Sequence, residues 1–574
     1  MEFIQKKTAD PSIEYFLSKA AESETSLVWD RYEGQLPECG FCETGLSCRD
    51  CLQGPCISHP FRDSNKTGIC GKDRDVLAIH SLLRLVLKGT TTYLDRISDL
   101  AKGIESRGIK PKNKAKTDQF LKEVQSLFQA GGAGLKKELP RPLIHLWEEM
   151  GVSPEGIARD FFKASQKLEG GITDVEETLL WSFKSSLLGC MAHWLYGRLK
   201  RSAFGEPAPT KIEVNLGVLK EGSPNLLMCG HFSPLLKRKI AEAAEKNGVR
   251  VSVICSDPLL PPFHFPVATN YGSQEIPCMT GAVDLIVVGD QWVNPSLIGV
   301  AKEFEVSILS TEGLKREKEP GRLARQIVEQ ARKSFDFRRH IPRDIPQATE
   351  VAMMGFSAKT IPAKKILGAI QKGQIRGVVV FCGSNNVKYT QDQEITILAQ
   401  EFLKNDILCL AKGEASVALA KYGFLNPLSR GKYCGKDLSA VLSSLGEEIP
   451  AVLDVGGGED GTIIDFFVEV MKTGKKDLKA FPVVACYPEA NRSSEVTEAM
   501  WTVAMGISTY FWPALPVTGS SIAMQGLSKF CEENFGAKLH ILTEKKIEAR
   551  AKAKLIQEAI MGKEGYGFSG KPWI

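Results

Sequence analysis

Four cysteines within 23 residues, Cys48-x2-Cys51-x4-Cys56-x13-Cys70, carry the clearest chemical signal in this chain. Thiolates are the donors that iron–sulfur clusters require. Gly54-Pro55 turns the chain between two of them, and Gly68 and Gly71 flank the last. Zinc is the competing occupant, because all-cysteine zinc sites also use short C-x2-C pairs. The unequal spacing and the extra pair Cys39-x2-Cys42 just upstream favour iron–sulfur. That upstream pair offers half the donors a cluster needs. Either other cysteines complete it, or a symmetry mate contributes its own pair across a two-fold axis.

These donors need a scaffold and a compartment. Of fifteen cysteines, six lie between Cys39 and Cys70 and nine are scattered from Cys190 to Cys531. The N-terminus MEFIQKKTADPS has no apolar core of a signal peptide, and no apolar run reaches a membrane-spanning length. A cytoplasmic location is expected, where clustered cysteines bind metal more often than they form disulfides. The net charge of +5 over 574 residues is small, and no basic stripe interleaved with aromatics marks a nucleic-acid partner.

At this length two to four domains are expected. Residues 1–225 read as helical, with the cysteine-rich segment 38–72 inside them. Apolar residues from Asp75 to Ile104 recur at three- and four-residue spacing, the mark of an amphipathic helix. Beyond Lys211, short β-rich runs such as NLLMCG and VDLIVVGD alternate with helical patterns; a second series begins near Ala363 with RGVVVFCGS and PAVLDVGGG. The pattern predicts an α/β chain: a helical N-terminal domain followed by two Rossmann-like parallel-sheet domains, 226–345 and 346–574. The proline-broken, charged stretch 335–350 reads as their linker. Ligands of open parallel sheets bind at the carboxyl ends of strands. Cys229, Cys255, Cys382, Glu414 and Glu459 fall at such ends, so the cleft between the α/β domains is the second candidate site.

The segment CGFCETGLSCRDCLQGPC, followed by GICGKDRDVLAIHSLLRLVLKGT, resembles the N-terminal part of anaerobic nickel-iron carbon monoxide dehydrogenase catalytic subunits. The likeness continues through GHFSPLL, VATNYGSQE, MTGAVDLIVVGDQWVNPSL, SNNVK and WTVAMGISTYFWPALPVTGS, almost the whole chain in order. Hybrid-cluster proteins share that superfamily. The resemblance implies a [4Fe–4S] relay cluster on Cys48, Cys51, Cys56 and Cys70. It also implies a homodimer whose two-fold axis carries a second cluster on Cys39 and Cys42 of each subunit. The commoner pattern places the second of those cysteines at Ser47; the short spacing here suits a [2Fe–2S] core as well as [4Fe–4S].

The catalytic positions depart from that pattern. The resemblance implies a nickel–iron–sulfur cluster held by one histidine and five cysteines. His231 matches the histidine and Cys255 the first cysteine. Elsewhere Trp292, Ser384, Glu414 and Gly458 stand where cysteines are expected, with Cys382 two residues before Ser384 and Glu459 beside Gly458. Tyr93 replaces a histidine and Ser494 a lysine that serve proton transfer and substrate binding in that family. Serine, glycine and tryptophan do not replace soft thiolates. The expectation is therefore a remodelled, nickel-free third cluster with mixed donors drawn from His231, Cys255, Cys382, Glu414, Glu459 and Cys278. It would be fed by a ferredoxin-like partner and reduce a small molecule such as hydroxylamine. Two alternatives stand beside it: a true carbon monoxide dehydrogenase with displaced ligands, and a non-catalytic electron-transfer or redox-sensing homologue. Bland readings compete at several positions. Cys278 and Cys409 suit buried apolar sites, Glu414 and Glu459 suit helix starts, and the Gly456–Gly458 run, lacking a full phosphate-binding pattern, suits a tight turn.

Overall fold

A computed structural model describes residues 6–59, 66–106, 109–129, 135–169, 174–254, 257–311, 319–383, 385–458, 460–543 and 548–562. Two long helices organise the N-terminal part, α1 (Arg74–Ser106) and α2 (Val175–Phe204). The apolar spacing of α1 gives it one core face, on which Leu82, Val86, Tyr93 and Ile97 are buried. Helix α2 is buried on nearly every side, because it is wedged between α1 and the last α/β domain.

The middle sheet contains β1 (Thr210–Val214), β2 (Asn225–Cys229), β3 (Arg250–Ile254), β4 (Val267–Thr269), β5 (Leu285–Val288), β6 (Ser307–Ser310) and β7 (Glu350–Met354). Their order is β6-β5-β2-β3-β4-β1-β7, parallel except where β7 runs against β1. The sheet thus draws strands from both sides of the segment 226–345. The stretch 335–350 ends the helix Pro320–Phe337 and leads into β7. Its prolines force an extended path, and that path returns the chain to the sheet edge as an antiparallel strand.

The second sheet contains β8 (Gly377–Phe381), β9 (Ile407–Ala411), β10 (Val452–Asp454), β11 (Val483–Tyr487), β12 (Ser508–Phe511) and β13 (Leu539–Ile541), all parallel, in the order β10-β9-β8-β11-β12-β13. Helices α3 (Glu414–Lys421), α4 (Thr462–Gly474) and α5 (Ser493–Ala504) follow β9, β10 and β11. Every strand residue of β8, β9 and β11 is buried, as the covering of both faces requires. One continuous apolar core runs from α1 and α2 into both sheets. The three parts therefore hold one fixed arrangement around whatever lies between them. Among the described residues, no helix is long and apolar enough to cross a membrane.

Candidate functional site

The cysteine-rich segment folds around its own thiols. A short antiparallel pair, Ser47–Cys48 against Cys56–Ile57, sets Cys48 directly opposite Cys56. The hairpin is anchored to the core by buried Leu46, whose carbonyl accepts the Ser58 N–H at 3.0 Å. Cys48, Cys51, Cys56 and Cys70 all line one cavity of about 80 Å3. The Ile69 N–H donates to Cys56 Sγ at 3.4 Å. Asp50, between the first two cysteines, is bound by Arg84 Nε at 2.6 Å and Lys72 Nζ at 3.3 Å. Burial alone would raise the Asp50 carboxyl, but the Arg84 guanidinium, with Lys72, overturns that and brings it to about 2. Among the described residues, no three His, Cys, Asp or Glu side chains converge as ligands of a single metal ion. Cys39 and Cys42 lie exposed on the short helical turn after residue 39. Ser47 Oγ donates to Cys42 Sγ at 3.6 Å. Hydrogen bonds from Cys42 and from the Phe41 N–H hold the Cys39 thiol below its ordinary range.

The second site grows from two places where strand order reverses. In the middle sheet the chain steps one way from β2 through β3 and β4, then crosses to β5 and steps the other way. The loops after β2 and β5 therefore open a crevice between neighbours. They carry Cys229, Gly230 and His231 on one side and Gly289 to Trp292 on the other. The loops are pressed together: Gly289 N–H donates to Cys229 O at 2.8 Å and His231 N–H to Gln291 O at 3.2 Å. A Cβ at Gly289 would stand 1.8 Å from His231 O, so only glycine allows this approach. In the C-terminal sheet the same reversal lies between β8 and β11. Its loops carry Cys382 and the segment from Glu489 into α5. The two crevices face α1 and α2.

Trp292 has a left-handed backbone at φ 63°, a conformation that costs a bulky residue on the order of 1–3 kcal/mol and is kept where surroundings enforce it. Its ring carries two guanidinium groups, Arg96 of α1 at 3.9 Å and Arg492 at 4.2 Å from the centroid. Arg492 also stacks on Tyr271 at 4.8 Å and reaches Glu414 Oε1 at 3.4 Å. The other Glu414 oxygen accepts the Tyr271 N–H at 3.0 Å. Four side chains from three parts of the chain are thus locked to the position of Trp292.

A second buried cluster lies beside Cys382. Tyr93 Oη donates to Glu498 Oε1 at 2.7 Å, and Lys412 Nζ donates to the same oxygen at 2.5 Å. Burial opposes a charge on Lys412, yet the facing Glu498 holds its pKa above the ordinary value. Burial pushes the Cys382 thiol up to about 12. Tyr93 packs edge-on against His193 at 4.7 Å. Glu495 caps the start of α5, accepting the Asn491 and Arg492 N–H groups at 2.8 and 3.0 Å. Burial raises its carboxyl to about 7 against the pull of Arg492.

Of the residues singled out from sequence, His231, Cys382 and Glu414 reach these crevices. Cys278 packs among Val218, Leu227, Ile286 and Cys229 in an apolar cluster, its thiol pushed by burial to about 12. Cys255, Ser384 and Glu459 lie outside the described residues. Sequence reasoning did not single out Arg96, Arg492, Lys412, Glu495 or Glu498. The available signals were a polar pair, Tyr93 and Arg96, three residues apart on an otherwise apolar helix face, and charged residues directly after the all-apolar β9 and β11.

The chain matches the Prismane/CO dehydrogenase family over residues 46–133 and 103–546. It belongs to that family. It is 30% identical to carbon monoxide dehydrogenase 2 of Carboxydothermus hydrogenoformans, covering 92% of this chain and 94% of that one. It is 28% identical to carbon monoxide dehydrogenase 1 of the same organism over 97% and 99% of the two chains. Carbon monoxide dehydrogenase IV from C. hydrogenoformans superimposes with a TM-score of 0.89 at 30% identity, covering 97% and 99%. The nickel-free, as-isolated carbon monoxide dehydrogenase from Thermococcus sp. AM4 also gives 0.89, at 25% identity with 97% of each chain covered.

Within this Prismane/CO dehydrogenase chain, the relay and nickel–iron clusters, two of the three implied by the resemblance, fare differently. Four thiols around one cavity, with a backbone N–H aimed at one sulfur, suit an iron–sulfur cubane. Trp292 and Glu414, which stand where the resemblance implies cysteine ligands of a nickel–iron cluster, do not fit that role: Trp292 offers no donor and carries two guanidinium groups on its ring, and Glu414 is committed to Tyr271 and Arg492.

Glu495 gives this site a pH signature. Its folded pKa of about 7 exceeds the ordinary 4.5, so the stability gained from its protonated form is complete below 4.5 and lost as pH rises through 7. Glu495→Gln should match wild type in urea unfolding at acidic pH. At pH 8 it should be more stable than wild type by on the order of 3 kcal/mol. Equal stability of the two proteins at both pH values would contradict the assignment.

Proposed function

We propose that the chain is a homodimeric iron–sulfur oxidoreductase built on the carbon monoxide dehydrogenase scaffold, with a nickel-free third site that reduces a small nitrogen–oxygen compound such as hydroxylamine. One observation supports the reading: Cys48, Cys51, Cys56 and Cys70, where the resemblance implies relay donors, line one cavity, while Trp292 and Glu414, where it implies catalytic cysteines, are bonded into their own network. A cubane on the four cysteines would supply one-electron transfer. Cys39 and Cys42, exposed and with a lowered Cys39 pKa, would share a cluster with the same pair of the partner subunit.

His231 and Cys382, with Cys255 and Glu459, are the donors for the third site; Glu414, held by Tyr271 and Arg492, shapes its wall instead. Imidazole, thiolate and carboxylate together suit iron with oxygen as well as sulfur ligands. Reduction of hydroxylamine to ammonia and water consumes two electrons and two protons. The residues around Cys382 can hold those protons in a buried site: Lys412 remains charged against Glu498, and Glu495 exchanges a proton near neutrality.

The test is anaerobic production, metal analysis and viologen-linked assays on the dimer. The reading expects iron beyond that of the relay and bridging clusters, no stoichiometric nickel, and viologen oxidation dependent on hydroxylamine. About one nickel per chain with CO-dependent viologen reduction would overturn it. Iron sufficient only for the relay and bridging clusters would also overturn it, and would favour a non-catalytic electron carrier.

A further inference from the structure

Asp50 and Lys72 line the four-cysteine cavity beside its thiols, and each side chain is less than a tenth exposed. Asp50 stands against one of the donors: the Cys48 thiol donates to Asp50 Oδ2 at 3.2 Å. The same carboxylate takes Arg84 of α1 in a fork, Nε on Oδ1 at 2.6 Å and Nη2 on Oδ2 at 3.1 Å. Lys72 Nζ reaches Oδ2 at 3.3 Å and also donates to Leu168 O at 2.9 Å. Leu168 lies in the last turn of the helix Phe161–Glu169, where a positive charge is favoured. Lys72 is thus held at the cavity from two sides.

Backbone groups, not these side chains, close the loops that carry the donors. The Gly68 N–H donates to Lys72 O at 2.7 Å and the Gly71 N–H to Gly68 O at 2.9 Å, which turns the chain around Cys70. The pairing that sets Cys48 opposite Cys56 is a backbone one as well. What the side chains add is charge. Asp50 contributes one negative charge, Lys72 and Arg84 one positive charge each, and the sum is a single positive charge. His80 packs beside them with Nδ1 4.0 Å from Asp50, but burial and Lys72 push its imidazole down to about 4, so it is uncharged near neutral pH. Glu169 also lines the cavity, on an exposed side chain that water and salt screen.

Four thiolates around an iron–sulfur core make an anion, and the electron it accepts adds to its negative charge. Net charge and burial are among the quantities that set such a potential. A buried cation beside the cavity favours the reduced form and a buried carboxylate opposes it, because fixed charges in a poorly solvated site are weakly screened. A cluster-bound Cys48 sulfur has no proton to give, so Asp50 then faces it as a like charge. The Arg84 fork and Lys72 hold it there.

We propose that Lys72 and Asp50 set the reduction potential of the cubane assigned to these four cysteines, Lys72 raising it and Asp50 lowering it. Both are positioning residues that act on the cluster through charge. The redox step is the gain of one electron from an external reductant, with no bond made or broken. The proposal rests on the relay assignment and is independent of the chemistry at the third site.

Mediated dithionite titration of the anaerobically purified full chain tests it, read by the paramagnetic resonance of the reduced cubane. The signal is assigned to the four cysteines by its absence from Cys56→Ala. At a fixed solution potential the reduced-to-oxidised ratio should fall about tenfold in K72M, a shift of about 59 mV for one electron. It should rise by a similar factor in D50N and return close to wild type in K72M/D50N. It should not change in K333M, which removes an exposed charge from the helix Pro320–Phe337. A merely structural role would move both single variants the same way, and the second substitution would not restore the first. If D50N does not retain iron, K72M and R84M decide: both should lower the ratio, R84M less, because Arg84 is about a third exposed. An unchanged ratio in K72M, loss of its iron, or shifts of one sign in K72M and D50N overturns the proposal while the relay assignment stands. A wild-type chain with neither the iron nor the signal of a cubane overturns both.

Discussion

Replacing Lys421 by methionine should cost about 3–5 kcal/mol of stability, the range seen when one partner of a buried ion pair is removed. Lys421 Nζ lies 2.8 Å from Asp392 and 2.9 Å from Asp10, and all three side chains are almost wholly buried. Asp392 also accepts the side-chain amides of Asn270 at 2.8 Å and Asn385 at 3.0 Å. The ammonium thus neutralises an acid that joins the middle domain to the C-terminal one, and ties the N-terminal segment to both. Burial opposes the charge on Lys421, but Asp10 and Asp392 raise its pKa above the ordinary lysine value. Burial also opposes ionisation of Asp10, and Lys421 with Ser12 brings it below 3.8. The contribution of that acid is therefore present above 3.8 and lost as pH falls through its lower folded value. Urea unfolding at neutral pH measures the cost. A loss below about 1 kcal/mol would show the triad to be energetically idle. Adding Asp10→Asn and Asp392→Asn to the methionine variant should recover part of the loss, because most of it is uncompensated buried charge.

This triad also shows where sequence reading stops. Parallel sheets were legible because β8, β9 and β11 are all-apolar runs bounded by glycine and charge, and that pattern reports burial on both faces. The middle sheet's edges were not legible. TKIEV and EVAMM alternate too briefly to declare a partner, and β7 pairs antiparallel with a strand 140 residues earlier. The cysteine segment was legible because its donors are local: a two-residue pairing suffices to oppose Cys48 and Cys56. The second site was legible only as a set of missing thiols. Arg96, Trp292, Glu414 and Arg492 come from four distant segments, and a guanidinium over an indole leaves no spacing rule in a sequence. Cys278 is the contrasting case: its sequence suits both a ligand and a buried apolar site, and the side chain packs in an apolar cluster where a thiol serves as a small hydrophobe.

Substituting Cys56 by alanine should have the largest functional effect. Cys56, one of the four proposed relay donors, is fixed from two directions, by pairing opposite Cys48 and by the Ile69 N–H on its sulfur. Loss of an outer-shell partner of a metal site typically costs about 10–100-fold in affinity or activity. Removing a donor outright should exceed that, so viologen-linked hydroxylamine reduction should fall by more than about 100-fold. Iron content should drop by the amount of one cluster per chain. The fold should survive, because Leu46, Ser58 and the Gly519 N–H to Thr44 O bond anchor the segment without the metal. Thermal unfolding of the α/β domains then separates lost wiring from lost structure. Cys42→Ala makes the contrast. It should remove the iron of the bridging cluster and weaken the dimer while leaving the relay signal in place, because Cys42 is exposed and outside the four-cysteine cavity. If the Cys56 variant kept both its iron and its turnover, the four cysteines would not be the path by which electrons reach the third site.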